Sequence, residues 1–378
     1  MVYRLAHQTH QRWSQLRRDL RTRLGIPKPL YVLPFRGYGT PARAVVKARV
    51  LEDRHVRPPE QRRSLVGAAV ASYKRYATHE VPGARVQVRW GDKQWEGLTD
   101  EEGFLDLWVP PPLNARPGWH EVHLHLPDAA GQPGADAVGQ VLLSGTDSEL
   151  GIISDLDDTV IETGVTNPLK RAWALFLTDH RQRVPFEGVG AFYAALQAGR
   201  HEGVLNPLFY VSSSPWNLYE HLDAYLQTHE IPAGPLLLRD WGLTAQGFAP
   251  GGGHGHKLDK IRAVMDTLAP LPFLLLGDSG QEDPEHYATI VREYPSRVRC
   301  IYIRMVHSRR GREAELARLA ADVRAHGSEL LVVEDSVSAA RHAAAQGWIR
   351  WAEVPDVQRA QGEDAAAAGV LDRLERHP

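Results

Sequence analysis

Asp155-Leu156-Asp157-Asp158-Thr159 places two carboxylates two residues apart at the end of an apolar run, Leu150-Gly151-Ile152-Ile153. Such a run reads as a buried parallel strand. Side chains alternate along a strand, so the spacing aims Asp155 and Asp157 into one crevice at its carboxyl end, where open α/β sheets bind ligands. Carboxylates that close repel each other, and a hard divalent cation relieves the repulsion. Mg2+ takes one or two protein carboxylates and completes its shell with water and phosphate oxygens.

Phosphoryl transfer further requires a nucleophile, a proton shuttle, donors for the phosphoryl oxygens and a cation. Candidates for each follow in order along the chain. The strand-like run Leu208 to Val211 ends in Ser212-Ser213-Ser214-Pro215, whose hydroxyls and following backbone N–H groups suit phosphate oxygens. Lys257 comes just after a glycine-rich stretch, Gly251 to Gly255. Phe273 to Leu276 leads into Gly277-Asp278-Ser279-Gly280-Gln281-Glu282-Asp283, acids that suit the second wall of a metal site. Taken singly, each has a plainer reading. The Asp155 cluster fits a helix cap or a Ca2+ loop fragment, the serine run a loop, and Lys257 a solvated charge. His254 and His256 hint at a metal, but further ligands for a transition-metal site are missing. The constellation, with each part at a strand end or helix start, is what carries the phosphate-and-metal reading.

This ordered set resembles the haloacid-dehalogenase superfamily of aspartate-nucleophile phosphohydrolases. Within it, Ser154 to Ile161, Val211 to Tyr219, Leu238 to Gly242, His256-Lys257 and Gly277 to Tyr287 are similar to the phosphatidate phosphatases of the yeast actin-patch-protein type and their bacterial relatives, over residues 149 to 350. The resemblance implies that Asp155 is the nucleophile, forming an aspartyl-phosphate. It implies that Asp157 is the acid that protonates the leaving alcohol and then the base that activates water. Ser212, with Ser213 beside it, and Lys257 would hold the phosphoryl group. Asp155, the backbone carbonyl of Asp157, Asp278 and Asp283 would serve the cofactor, Mg2+. Asp158 and Thr159 would orient the loop. The implied substrate is phosphatidate or a related lipid phosphate. Three other readings compete: the same chemistry on a soluble phosphomonoester, a receiver-type phosphoaspartate signalling module, and a non-catalytic scaffold. A receiver carries its acidic pair on an earlier strand than its phosphoacceptor, and a scaffold need not keep every catalytic position filled.

The elements that must position these residues follow from pattern. From residue 147 to 378, strand and helix alternate, which predicts a doubly wound parallel α/β sheet; the resemblance implies that it is haloacid-dehalogenase-like, with a small cap or none. Strands are expected at Arg299 to Arg304 and Glu329 to Glu334. Helices are expected at Arg312 to Ala325, at Ser338 to Gln346 stopped by Gly347, and after Glu363. Residues 30 to 146 read as a smaller β-sandwich-like domain. There Val86, Val88 and Trp90 alternate with Arg85, Gln87 and Arg89, and Val122, Leu124 and Leu126 with Glu121, His123 and His125. One helix is expected near Ser64 to Tyr76, and this domain is expected to position the enzyme or bind a partner.

Residues 1 to 29 hold Arg4, Arg12, Arg17, Arg18, Arg21, Arg23 and Lys28 against Asp19, with Leu5, Trp13, Leu16, Leu20 and Leu24 at near-helical spacing. A basic amphipathic helix of this kind can lie on anionic lipid. Its apolar stripe is thin, so an ordinary helix with its arginines in water accounts for the same pattern. The chain has 378 residues, net charge −2 and one cysteine, Cys300. That balance offers no global field for nucleic acid, and one cysteine forms no internal disulfide. No apolar stretch reaches the roughly 18 residues of a membrane span. A cytoplasmic protein is expected, with membrane contact at most peripheral.

Overall fold

A computed structural model describes residues 29–52, 80–128, 133–156, 159–160, 185–239, 243–244, 247–248, 255–306 and 311–376. The expected N-terminal helix, the helix near Ser64 to Tyr76, Asp157 and Asp158, and Gly251 to His254 lie outside the described residues. The chain divides into two compact units, Met1–Gly145 with Asp240–Gly251 and Thr146–Arg239 with Gly252–Pro378.

The first unit holds β1 (Leu30–Thr40), β2 (Arg43–Glu52), β3 (Arg85–Trp90), β4 (Lys93–Leu98), β5 (Phe104–Val109), β6 (Gly118–Leu126) and β7 (Ala135–Leu143). All seven join one sheet in the order β4-β3-β6-β7-β1-β2-β5. Its pairs are antiparallel except β1 with β7. The alternation legible in β3 and β6 sorts as it should. Val86, Val88, Trp90, Val122, Leu124 and Leu126 are buried, while Arg85, Arg89, Glu121, His123 and His125 face solvent. A sandwich would have two sheets, whereas this one rolls up. The edge strands meet where a Cβ on Gly97 of β4 would fall 2.6 Å from Leu105 Cδ1 of β5. Strand twist supplies the curvature, and one apolar core fills the interior.

The second unit is an α/β structure. Its sheet runs β10 (Leu236–Arg239), β9 (Leu208–Pro215), β8 (Gly151–Asp155), β13 (Phe273–Asp278), β14 (Val298–Arg304), β15 (Glu329–Val333). Every neighbouring pair is parallel. Between β10 and β13 in sequence, β11 (Leu243–Thr244) and β12 (Gly247–Phe248) form a short antiparallel pair of their own, grouped with the first unit. The helices are α1 (Val189–Ala198), α2 (Tyr219–Thr228), α3 (Gly255–Thr267), α4 (Asp283–Glu293), α5 (Arg312–Ala325), α6 (Ser336–Ala345) and α7 (Val354–Arg376). The chain steps outward from β8 to β10, then returns to β13 and steps outward the other way. Right-handed crossovers in opposite directions put helices on opposite faces of the sheet. Accordingly α1, α6 and α7 pack together, and α3, α4 and α5 pack as a separate group.

β8 is buried along its whole length because both faces are covered. Gly151 opens it, for a Cβ there would lie 2.2 Å from the Phe273 ring. Among the described residues, no helix is long and apolar enough to cross a membrane.

Candidate functional site

The reversal of strand order beside β8 opens a crevice at the carboxyl ends of β8, β9 and β13, the place where doubly wound sheets take ligands. Asp155 is the last residue of β8, and its register partner on β9 is Val211, so Ser212 lies one step further along the rim. On the other side Ser154 pairs with Leu276 of β13, and Asp278 ends that strand. Lys257 lies in the first turn of α3, and Asp283 begins α4. Four segments distant in sequence thus deliver their polar residues to one end of one sheet.

They meet. Oxygens of Asp155, Asp278 and Asp283 all lie within 4.8 Å of one another, and all three residues are buried. Lys257, also buried, donates from Nζ to Asp155 Oδ1 at 2.8 Å and to Asp283. Asp278 Oδ1 accepts from the backbone N–H groups of Gly280, at 2.6 Å, and Gln281, at 3.1 Å. The Gln281 side-chain amide donates to Asp278 Oδ2 at 2.9 Å and to Asp155 Oδ2 at 3.3 Å. Gly277 makes the crowding feasible, because a Cβ there would fall 2.7 Å from Asp283 Oδ2 and 2.8 Å from the Tyr287 ring.

The electrostatics are lopsided. Three carboxylates face one ammonium, leaving a formal excess of two negative charges in a buried site. Burial first, and then the Asp283 charge, push the Asp278 carboxyl up to about 7. Burial alone would pull the Lys257 ammonium down, but the Asp155 and Asp283 carboxylates outweigh it and hold it above the ordinary lysine value. Tyr287 donates its hydroxyl to Leu276 O at 2.8 Å, and burial raises its phenol well above the ordinary value, so it stays neutral.

An all-oxygen, doubly anionic donor set fits a hard divalent cation such as Mg2+. The Gln281 amide supports the fit: it donates positive hydrogen to one oxygen of Asp155 and one of Asp278 at once, as a cation between them would attract both.

Ser212 is buried at the end of the apolar part of β9, and its Oγ accepts from Ser214 N at 2.9 Å. Ser213 is only half-buried and, by strand alternation, turned to the other face. The strand continues through Pro215, and a 3-10 turn follows at Trp216–Leu218. Trp216 and Tyr219 are buried and stack on each other at 6.1 Å, as core packing. β8 ends at Asp155, so strand alternation does not extend to Asp157, which lies outside the described residues. Val160 N donates to Leu156 O at 3.1 Å, and Thr159 is buried. His256 Nε2 lies 3.3 Å from Leu238 O, a backbone contact.

Two contributors escaped the sequence reading. Gln281 was visible only as part of a motif. Arg312 gave no signal, since an arginine opening a helix reads as a solvated charge. In the fold it is almost wholly buried. Its Nε donates to Ser279 O and one terminal nitrogen to Gln281 O, both at 2.9 Å, and it pairs with Glu285. It therefore clamps the β13–α4 loop that carries Gln281 onto α5.

Residues 150–305 match the family model described as phosphatidate phosphatase APP1, catalytic domain. Phosphatidate phosphatase APP1 of Saccharomyces cerevisiae is 30% identical over 155 residues, which are 41% of this chain and 26% of that protein. An uncharacterized protein of Schizosaccharomyces pombe is 26% identical over 160 residues, 42% of this chain and 26% of that protein. The chain thus spans about a quarter of the length of the relatives it matches. Among solved structures, a protein of unknown function from Porphyromonas gingivalis W83 aligns at 14% identity and a TM-score of 0.16, covering 35% of this chain and 62% of that one. That is too slight a likeness to equate two folds. The family resemblance carried by the motifs is borne out over the matched segment.

Proposed function

We propose that this APP1-type segment is a Mg2+-dependent phosphomonoesterase of haloacid-dehalogenase type, acting on phosphatidate or a closely related lipid phosphate. The observation that carries the reading is the buried cluster of Asp155, Asp278 and Asp283 with Lys257 bonded across it. Three carboxylates with one counter-charge are costly to bury, and a divalent cation with a phosphoryl group gives them a purpose. The phosphatidate part rests on similarity to APP1 over residues 150–305.

Asp155, held by Lys257 through Oδ1, attacks phosphorus with its other carboxylate oxygen. The phosphoryl group passes to Asp155 as an aspartyl-phosphate while the leaving alkoxide takes a proton from Asp157. Asp157, now a carboxylate, takes a proton from water, which attacks the acyl-phosphate and releases inorganic phosphate. Ser212 and Lys257 hold the phosphoryl oxygens, and the Lys257 ammonium offsets charge that grows in the transition state. Asp155, Asp278 and Asp283, with the Asp157 backbone carbonyl, would hold a Mg2+, which would supply charge neutralisation.

The test is phosphate release from phosphatidate in mixed micelles, against a panel of soluble phosphomonoesters, with Mg2+ and with chelator. Mg2+-dependent release favouring phosphatidate is expected. Preference for a soluble ester would overturn the substrate, and metal-independent turnover the mechanism.

A further inference from the structure

A second cluster of ligand-type side chains lies at the other end of the parallel sheet. Among the described residues, Cys300, Glu329 and His342 form the one other trio of potential metal ligands whose donor atoms all lie within 4.8 Å of one another. Cys300 pairs in register with Glu329 across β14 and β15, so the two side chains share a sheet face, and α6 lays His342 over them. Cys300 is also level with Leu274, four residues before Asp278 along β13. At about 3.3 Å per residue, that is roughly 13 Å down the strand from the carboxylate crevice.

The histidine is aimed. Its Nδ1 lies 2.8 Å from the Tyr302 hydroxyl, which leaves Nε2 turned to Glu329, 3.4 Å from Oε2. The Tyr302 and Trp348 rings hold the imidazole edge-on, each with a centroid 5.7 Å away. A hydrogen bond to the non-ligating ring nitrogen is how proteins orient metal-binding histidines. Cys300 is buried, whereas Glu329 and His342 are partly open to solvent, which gives an ion a way in. The amide of exposed Gln346 is 3.3 Å from Nε2 and has only to swing aside. Thiolate, imidazole and carboxylate form a donor set unlike the all-oxygen crevice. It suits zinc-class ions, around which neighbouring ligand atoms sit about 3.5 Å apart with water as a fourth ligand.

We propose that Cys300, Glu329 and His342 form a second metal site, taking one zinc-class divalent cation through Sγ, a carboxylate oxygen and Nε2. The site ties β14, β15 and α6 together at the end of the sheet remote from the phosphoryl chemistry. A plain His342–Glu329 ion pair beside a core cysteine would use the same residues without a metal.

The full chain has one cysteine, which makes the experiment clean: any thiolate-to-metal absorption must come from Cys300. Co2+ is titrated as the probe with Mg2+ saturating, so that the oxygen-only crevice is occupied by the harder ion. A cobalt–thiolate charge-transfer band saturating at one equivalent is expected, displaced by Zn2+, and lost in Cys300→Ser. His342→Gln and Glu329→Gln, both at partly exposed positions, should each weaken Co2+ binding at least tenfold while the circular-dichroism spectrum stays native. Absence of the band in the wild-type chain overturns the proposal, as does undiminished Co2+ affinity in His342→Gln and Glu329→Gln.

Discussion

The two units handle buried charge in opposite ways. In the rolled sheet, two buried cations are answered by opposite charge: Lys47 pairs with Asp106, and Arg49 reaches Glu80 while stacking on Phe104 at 4.3 Å. In the parallel unit, three buried carboxylates crowd one ammonium, and one carboxyl is driven up to about 7. A balanced pair tells of structure. An imbalance of two charges, held in place by hydrogen bonds, suits a ligand of opposite sign. Arg312 shows the contrast inside one unit: it too is buried, but Glu285 and Glu315 answer it, and its remaining bonds secure a loop rather than await a ligand.

Substitution in each unit is the strongest way to break that contrast. Asp155→Asn should lower turnover on the order of 10⁴-fold or more, the scale seen when a nucleophile is removed, with an unchanged melting curve. Lys47→Met should do the reverse, leaving kcat intact and costing about 1 kcal/mol, since Asp106 is largely exposed. Steady-state assay and thermal melts of both variants check the pair; an active Asp155→Asn removes the assigned nucleophile.

Arg312→Lys comes next. One ammonium cannot replace a guanidinium that reaches Ser279 O, Gln281 O and Glu285 together. Loosening the loop should raise the Mg2+ concentration for half-maximal activity 10- to 100-fold, roughly the effect of losing a residue that orients metal ligands. An unchanged Mg2+ dependence would reduce Arg312 to packing.

Asp278 sharpens the comparison through pH. Its folded pKa of about 7 stands above the ordinary carboxyl value of about 4. The folded state therefore holds a proton that the unfolded state releases, and the metal-free protein loses stability as pH rises from about 4 to about 7. Mg2+ should abolish that fall, and Asp278→Asn should lack it. Melts at several pH values, with and without Mg2+, read the slope; equal slopes in wild type and variant would sink this account of Asp278. The smallest effect concerns residues 1 to 29. Their removal should weaken sedimentation with anionic vesicles and leave hydrolysis of a soluble ester unchanged, while equal sedimentation would dismiss the lipid-facing helix.

Much of this was legible in the chain because each unit writes its burial in a different period. β8, β9 and β13 are covered on both faces and read as unbroken apolar runs ending at the carboxylates, the serines and Asp278. β3 and β6 are covered on one face and read as strict alternation. Helix α5 was expected over Arg312 to Ala325 and spans those residues. Helix α6 begins two residues before the expected Ser338, because Asp335 caps it by accepting from Ser338 N at 2.7 Å. The sheet's curl was not legible, since it depends on Gly97 letting β4 approach β5, and a lone glycine in a strand has several meanings. Nor was the work of Arg312 or Gln281, whose partners are backbone carbonyls and carboxylates that only folding brings near.

Magnesium calorimetry on the full chain tests the central claim most directly. Wild type should bind one Mg2+ at the carboxylate crevice, and Asp278→Asn should bind it at least tenfold more weakly while remaining folded. Equal binding by both proteins, or none by wild type, would mean that the buried excess of negative charge is not a cation site.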